Sequence, residues 1–131
     1  KNHLLPAPDK KKYSKEHLLL LIYIYYYKSI LSIGDIQSLL EPLTQRYFHK
    51  DGEMNMQSIY EEVFSLEKEQ VEKMKQDVTE KYETASRIFP EAEAEDQEFL
   101  RIFSFICLLS FDVYVKKQVI EKLIDELPKK S

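Results

Sequence analysis

Glycine is nearly absent from this 131-residue chain, with 2 in all, and proline numbers only 5. Few tight turns are therefore available, which argues against an all-β fold and against a glycine-rich loop that cradles phosphate. Cysteine occurs once, at Cys107, so the chain can build no disulfide framework of its own, which fits a reducing compartment. Within Phe105-Ile106-Cys107-Leu108-Leu109 that cysteine reads as a small buried hydrophobe. The 3 histidines, His3, His17 and His49, are scattered, and no pair has metal-ligand spacing. Each reads as a surface or helix-end residue, and neither a metal nor a cofactor is expected. No nucleophile–base set and no His-Glu-x-x-His spacing is present, so an enzyme is not expected. Long apolar runs are missing too. Leu18–Tyr27 is too short to cross a bilayer, and Phe99–Val115 carries Arg101 and Asp112. Both read as buried core helices, not membrane spans. No signal peptide is visible, and a cytoplasmic location is expected.

What is present is globular in balance: 44% apolar and 32% charged. The length suits one compact domain, or a small domain with a helical extension. The chain opens on Lys1 in mid-pattern and reads as a fragment that lacks an N-terminal part. Its net charge of -4 is uneven. Residues 1–28 carry Lys1, Lys10, Lys11, Lys12, Lys15 and Lys28 against Asp9 and Glu16, a net +4 that leaves -8 for the remainder. A basic head on an acidic body suggests that any contact with a polyanion is made by the head, although a lysine-rich solvated turn has the same composition.

The periodicity places five features along the chain. Pro6 and Pro8 disfavour helix in what precedes them, so residues 1–8 read as a helix end followed by an extended segment. Residues 9–13 form a basic turn. Ser14 is a good N-cap, and Glu16 suits the dipole of a first helix that runs to about Lys28. Apolar residues fill nearly every position from Leu18 to Tyr27, so this helix should be covered on most sides. Ser32 and Asp35 look like a capping box for a second helix, with Ile36, Leu39, Leu40 and Leu43 on one face and Pro42 as a kink or a fresh start. His49-Lys50-Asp51-Gly52 reads as a loop. Asn55 caps a third helix, expected from about Met56 to Ile88, with a narrow seam at Val71, Met74, Val78, Tyr82, Ala85 and Phe89. Pro90 stops it. A fourth helix, about Glu95 to Leu127, should return along the third as an antiparallel hairpin. The expected fold class is all-α, divided into a head, residues 1–50, and a hairpin, residues 51–131.

Several of these segments resemble a known pattern. His3-Leu4-Leu5-Pro6-Ala7-Pro8, Lys11-Lys12-Tyr13, Ser14-Lys15-Glu16-His17-Leu18 and Leu31-Ser32-Ile33-Gly34-Asp35-Ile36 follow the order seen in the MerR family of bacterial regulators. There a recognition helix, a wing with a basic residue before a tyrosine, and two further helix starts succeed one another. More closely, the stretches Lys12–Leu18 and Leu31–Ile36 look like the bacterial domain of unknown function 1836, a MerR-like head with a helical tail. That group brings no established activity. The resemblance implies a winged helix-turn-helix head with its N-terminal part missing here. Only Lys1, Asn2 and His3 would remain of the recognition helix, and where MerR proteins commonly have arginine the wing carries lysine, a point charge that binds phosphate without a bidentate fork.

The resemblance points to a regulator that binds double-stranded DNA, with Lys10, Lys11, Lys12 and Tyr13 on the phosphate backbone. Two copies are expected, because half-site recognition usually needs a two-fold. The Val71–Phe89 seam is a candidate dimer contact, and an equal alternative is packing within the hairpin. A helical interaction or adaptor module without DNA binding is a second reading. A third is effector sensing, with Phe99, Phe103, Phe105, Phe111 and Tyr114 as walls of an apolar pocket, although aromatics at helical spacing are more often plain core.

Overall fold

The computed structural model describes residues 4–8 and 14–128. Among the described residues there is no strand, and five helices follow one another. They are α1 (Lys15–Lys28), α2 (Ile33–Tyr47), α3 (Met56–Phe64), α4 (Glu67–Arg87) and α5 (Ala94–Asp125). The all-α expectation holds. The chain divides into two compact units, residues 1–65 with 119–131, and residues 66–118.

In the first unit α1, α2 and α3 pack on one another, and the end of α5 joins them. Leu20, Ile36, Met56 and His17 are its most completely buried side chains, with Leu19, Tyr23, Leu31, Leu40 and Ile124 around them. Each helix start is chemically marked. Ser14 caps α1, Ser32 caps α2 by accepting from the Asp35 N–H at 3.1 Å, and Asn55 caps α3. These side-chain oxygens satisfy amide groups that the first turn leaves without carbonyl partners. Only the serine half of the expected box forms at α2, whereas Asn55 and Ser58 close a full box at α3. Pro42 stays inside α2, which runs through it.

Covering of α1 on most sides is not what the structure shows. Leu19, Leu20 and Tyr23 are buried, but Leu18, Leu21 and Tyr25 form an exposed stripe at 3–4 spacing, with Tyr25 80% exposed. One stripe of a helix faces a three-helix core, and a sequence apolar all round leaves the rest in water.

The expected continuous third helix is broken. α3 ends at Phe64 and α4 begins at Glu67. At the joint the Ser65 hydroxyl donates to the Glu62 carbonyl at 2.6 Å, a local bond that competes with helix continuation. Phe64 is meanwhile held in an aromatic cluster with Tyr60, at 4.5 Å between ring centroids, and Tyr23, at 5.9 Å. Phe64 stays with that cluster, whereas Leu66, two residues on, is exposed.

In the second unit α4 and the first part of α5 lie side by side and antiparallel. Tyr82 meets Phe105 edge-on at 5.4 Å, and Lys81 reaches Asp112 at 4.0 Å. Small residues, Ala85 and Ser104, are the buried ones. Phe89 turns the chain with φ 56°, a left-handed conformation that glycine usually supplies after a helix, and Pro90 follows. The Gln97 amide donates to the Pro90 carbonyl at 3.1 Å and steadies the turn.

Candidate nucleic-acid interface

The residues expected to meet a polyanion, Lys10, Lys11, Lys12 and Tyr13, lie outside the described residues. Their chain neighbours on both sides are described, and one side chain holds them. His17 is completely buried. It occupies the third position of α1, where a capping box ordinarily places Glu or Gln. The Ser14 hydroxyl accepts the His17 amide at 3.4 Å, and His17 Nδ1 accepts the Ser14 amide at 2.9 Å. On the other edge of the ring, Nε2 lies 3.0 Å from the Pro6 carbonyl and 3.1 Å from the Ala7 carbonyl.

The partners dictate the tautomer. A backbone N–H aims at Nδ1, which must therefore be the acceptor, and carbonyl oxygens face Nε2, which must carry the proton. One neutral imidazole thus ties Pro6 and Ala7, upstream of the basic residues, to Ser14, just downstream. Leu4 and Leu5 reinforce this from below by packing against the core. The edge of Phe48 meets the imidazole at 5.0 Å and seals it. Removing such a side chain takes a partner from two carbonyls and an amide that are at most half-buried, each a loss of about 0.5–1.5 kcal/mol.

A second tie crosses the same end of α1. Both Glu16 carboxylate oxygens accept the His49 amide, at 3.1 and 3.0 Å, and His49 Nδ1 sits 2.8 Å from Oε1. His49 has φ 59°, a left-handed value that histidine adopts more readily than most residues. Glu16 therefore fixes the chain as it leaves α2, and in the same position favours the positive end of the α1 dipole. Lys15, Lys50, Asp51, Asn55 and Gln57 surround this tie in an open polar depression.

Sequence reasoning placed His17 and His49 at helix ends or on the surface. His17 is indeed at a helix end, but its burial was missed. The available signal was a histidine three residues after a serine cap, with paired prolines upstream.

The remaining candidates fall in the second unit. Along the expected seam, Ala85 is buried and Val71 half-buried, whereas Met74, Val78, Tyr82 and Phe89 are between 41% and 50% exposed. Of the five aromatics expected to wall a pocket, Phe105 packs on Tyr82, and Phe99, Phe103, Phe111 and Tyr114 are at least half exposed. They point around α5 and enclose no common cavity. They are not core either, so the buried-helix expectation for Phe99–Val115 is corrected. Cys107 is half-buried. Among the described residues no group of three or more His, Cys, Asp or Glu side chains is placed to hold a metal, and no helix is long and apolar enough to cross a membrane.

Two tyrosines of α1 are shifted by their surroundings. Burial raises the Tyr23 phenol above its ordinary value, with Tyr27 and Tyr60 adding to the shift, and burial alone raises Tyr27. In the second unit the Asp77 carboxylate, hydrogen-bonded to the Lys81 ammonium, holds Lys81 above its ordinary value, with Asp112 as a further source.

Residues 1–63, just under half of the chain, match the family model described as a domain of unknown function, DUF1836. The matched stretch includes the His17 and Glu16 ties and ends within α3. No curated protein and no solved structure matches the chain.

Proposed function

We propose that this protein is a DNA-binding regulator of MerR-like, winged-helix type, acting as a homodimer in the cytoplasm. Lys10, Lys11, Lys12 and Tyr13 contact the phosphate backbone of duplex DNA. The observation that carries the reading is the lysine run with its flanks, Pro6–Ala7 and Ser14, bonded to one buried imidazole. Tethering both ends of a short charged segment lowers the conformational entropy that binding must otherwise remove. Lysines so placed position a protein on DNA without reading its sequence.

The test is binding of the protein to random duplex DNA across a salt series. Salt-sensitive binding is expected, because each phosphate that a lysine neutralises releases counterions. Replacing Lys10, Lys11 and Lys12 by Ala together should weaken binding and flatten the plot of log K against log salt by about 0.9 for each phosphate no longer neutralised. Absence of binding at low salt would overturn the reading.

A second reading is supported by the exposed apolar stripes of α1 and α5, which fit a helical protein-interaction module. It expects no DNA affinity at low salt and a protein partner on those stripes.

A further inference from the structure

We propose that the turn joining α4 to α5 binds a small organic carboxylate, with its oxygens on Arg87 and Arg101 and its apolar body against Ile88, Phe89 and Pro90. The site lies outside the stretch that the family model matches and uses none of the residues assigned to DNA.

A pocket of about 410 Å³ opens at this turn, within the range of small-molecule sites, about 300–1,000 Å³. Arg87 and Arg101 are its charged lining residues, and among the described residues no carboxylate lines it. Neither cation is neutralised within the chain. Arg87 is exposed and makes no ion pair among the described residues. Arg101 Nη2 lies 3.7 Å from Oε2 of the exposed Glu98, beyond hydrogen-bond reach, and so open a pair contributes little. Arg101 Nε is shut off from solvent and has no hydrogen-bond partner among the described residues. A buried donor without an acceptor is costly, and an oxygen that draws the guanidinium toward the pocket relieves that cost. The fork of N–H groups on a guanidinium also matches the two oxygens of a carboxylate.

The wall beside the cations is apolar. Ile88 and Phe89 are 42% and 48% exposed, and Pro90 follows them. Phe89 holds its ring there from a backbone conformation, φ 56°, that glycine reaches at no steric cost. Residues kept in such conformations gather at ligand-binding positions.

Charge beyond the lining selects the occupant. Between residues 80 and 101 the carboxylates of Glu80, Glu83, Glu91, Glu93, Glu95, Asp96 and Glu98 stand against Lys81, Arg87 and Arg101. Lys81 is already bonded to Asp77. A nucleic acid or an anionic membrane meets this acidic rim and is repelled. A phosphate dianion is costly to dehydrate, and two cations ringed by carboxylates leave too little field to offset it. A single negative charge on an apolar body suits the two guanidinium groups, the apolar wall and the acidic surround together.

NMR titration of the isotope-labelled whole protein tests the proposal, since the Arg101 Nε–H reports the site directly. The probe is phenylpropionate, with phenylpropanamide as its neutral counterpart. Phenyl phosphate supplies the same ring on a dianion at about pH 7.5. The expected result is a saturable shift of the Arg101 Nε signal and of the amides of residues 87–89 by the carboxylate, and none by the neutral amide. Phenyl phosphate should bind roughly 3-fold more weakly than the carboxylate. Arg87→Gln and Arg101→Gln should each weaken carboxylate binding roughly 10-fold, the loss of one charge-assisted contact. Phe89→Gly should weaken it about 3-fold through the lost ring, and Glu98→Gln should tighten it by removing a competing carboxylate. Lys75→Gln, on the exposed face of α4 away from the turn, should leave it unchanged. Arg87 is exposed, so its variant should fold as the parent does, which the dispersion of the same spectrum checks. The absence of a saturable shift with phenylpropionate would overturn the proposal. So would equal binding of the neutral amide, phenyl phosphate binding as tight as the carboxylate's, or carboxylate binding that survives both arginine changes. Weakening by Lys75→Gln equal to that by Arg87→Gln would overturn it as well.

Discussion

α1 and the first half of α5 look alike in sequence and are treated oppositely by the fold. Each is densely apolar. α1 buries Leu19, Leu20 and Tyr23 against α2 and α3, whereas α5 turns Phe99, Phe103 and Ile106 to solvent and presents small and mixed residues to α4. Apolar content states how much surface wants cover. Which surface receives it depends on how many helices are present to share a core. Three helices and the end of a fourth enclose an interior in the first unit, and two helices alone in the second unit meet along a line.

The largest expected effect contrasts those two regions directly. Leu20 is 0% exposed, and Leu20→Ala should destabilise the first unit by about 3–4 kcal/mol in urea unfolding. Phe103 is 52% exposed, and Phe103→Ala should shift unfolding of the dilute monomer by only about 0.5 kcal/mol, although it removes the larger side chain. Equal costs at the two positions would mean that α5 is covered as α1 is.

Next in size is His17→Ala. It removes half of a capping box, worth about 1 kcal/mol, takes partners from Ser14, Pro6 and Ala7, and empties a fully buried position, so a loss of about 2–4 kcal/mol is expected. His17→Gln should recover part of it, because Gln serves at the same position of an ordinary capping box. Amide exchange at Ser14 and His17 would report the opening locally. Unchanged protection there in His17→Ala would show that the imidazole does not hold the start of α1.

Alkaline pH separates the units by another route. Tyr23 and Tyr27 ionise above the ordinary value of 10.0 in the folded chain, because burial disfavours the phenolate. The unfolded chain loses those protons first as pH rises. Their contribution is therefore fully present below about pH 10 and is lost as pH climbs through the raised values. Stability of the first unit should fall in that window. Replacing Tyr23 and Tyr27 by Phe should flatten the fall, and a curve identical to the parent's would remove these phenols as its cause.

The legible parts of this chain were those whose causes are local. Ser14, Ser32 and Asn55 announce three helix starts, because a cap acts within one turn. The all-helical class follows from scarce glycine and 3–4 periodicity. The break at Ser65 was hidden, since nothing in Phe64-Ser65-Leu66-Glu67 forbids a helix; the cause is a distant aromatic cluster that holds Phe64. His17 was hidden likewise, because its carbonyl partners lie ten and eleven residues earlier. At α5 the sequence read as a buried core helix, and the exposure of Phe99, Phe103, Phe111 and Tyr114 was illegible, because apolar content does not say how many helices share the core.

The smallest expected effect tests the turn that keeps α4 and α5 together. Phe89 sits at φ 56°, where a side chain's Cβ crowds the backbone and glycine's absence of one relieves it. Changing Phe89 alone would mix that strain with loss of a ring that is about half covered, at 48% exposure. Comparing two truncations removes the ring from the question. Phe89→Ala and Phe89→Gly lose the same aromatic surface and differ chiefly in backbone freedom. Inside a helix alanine is the more stable of the two by about 1 kcal/mol. At position 89 the order should reverse, with the glycine variant more stable by about 1 kcal/mol in thermal or urea unfolding, because only alanine retains the left-handed strain. A glycine variant less stable than the alanine variant would mean that Phe89 leaves the left-handed region in solution. The turn would then owe its shape to Pro90 and to the Gln97 amide on the Pro90 carbonyl, not to residue 89.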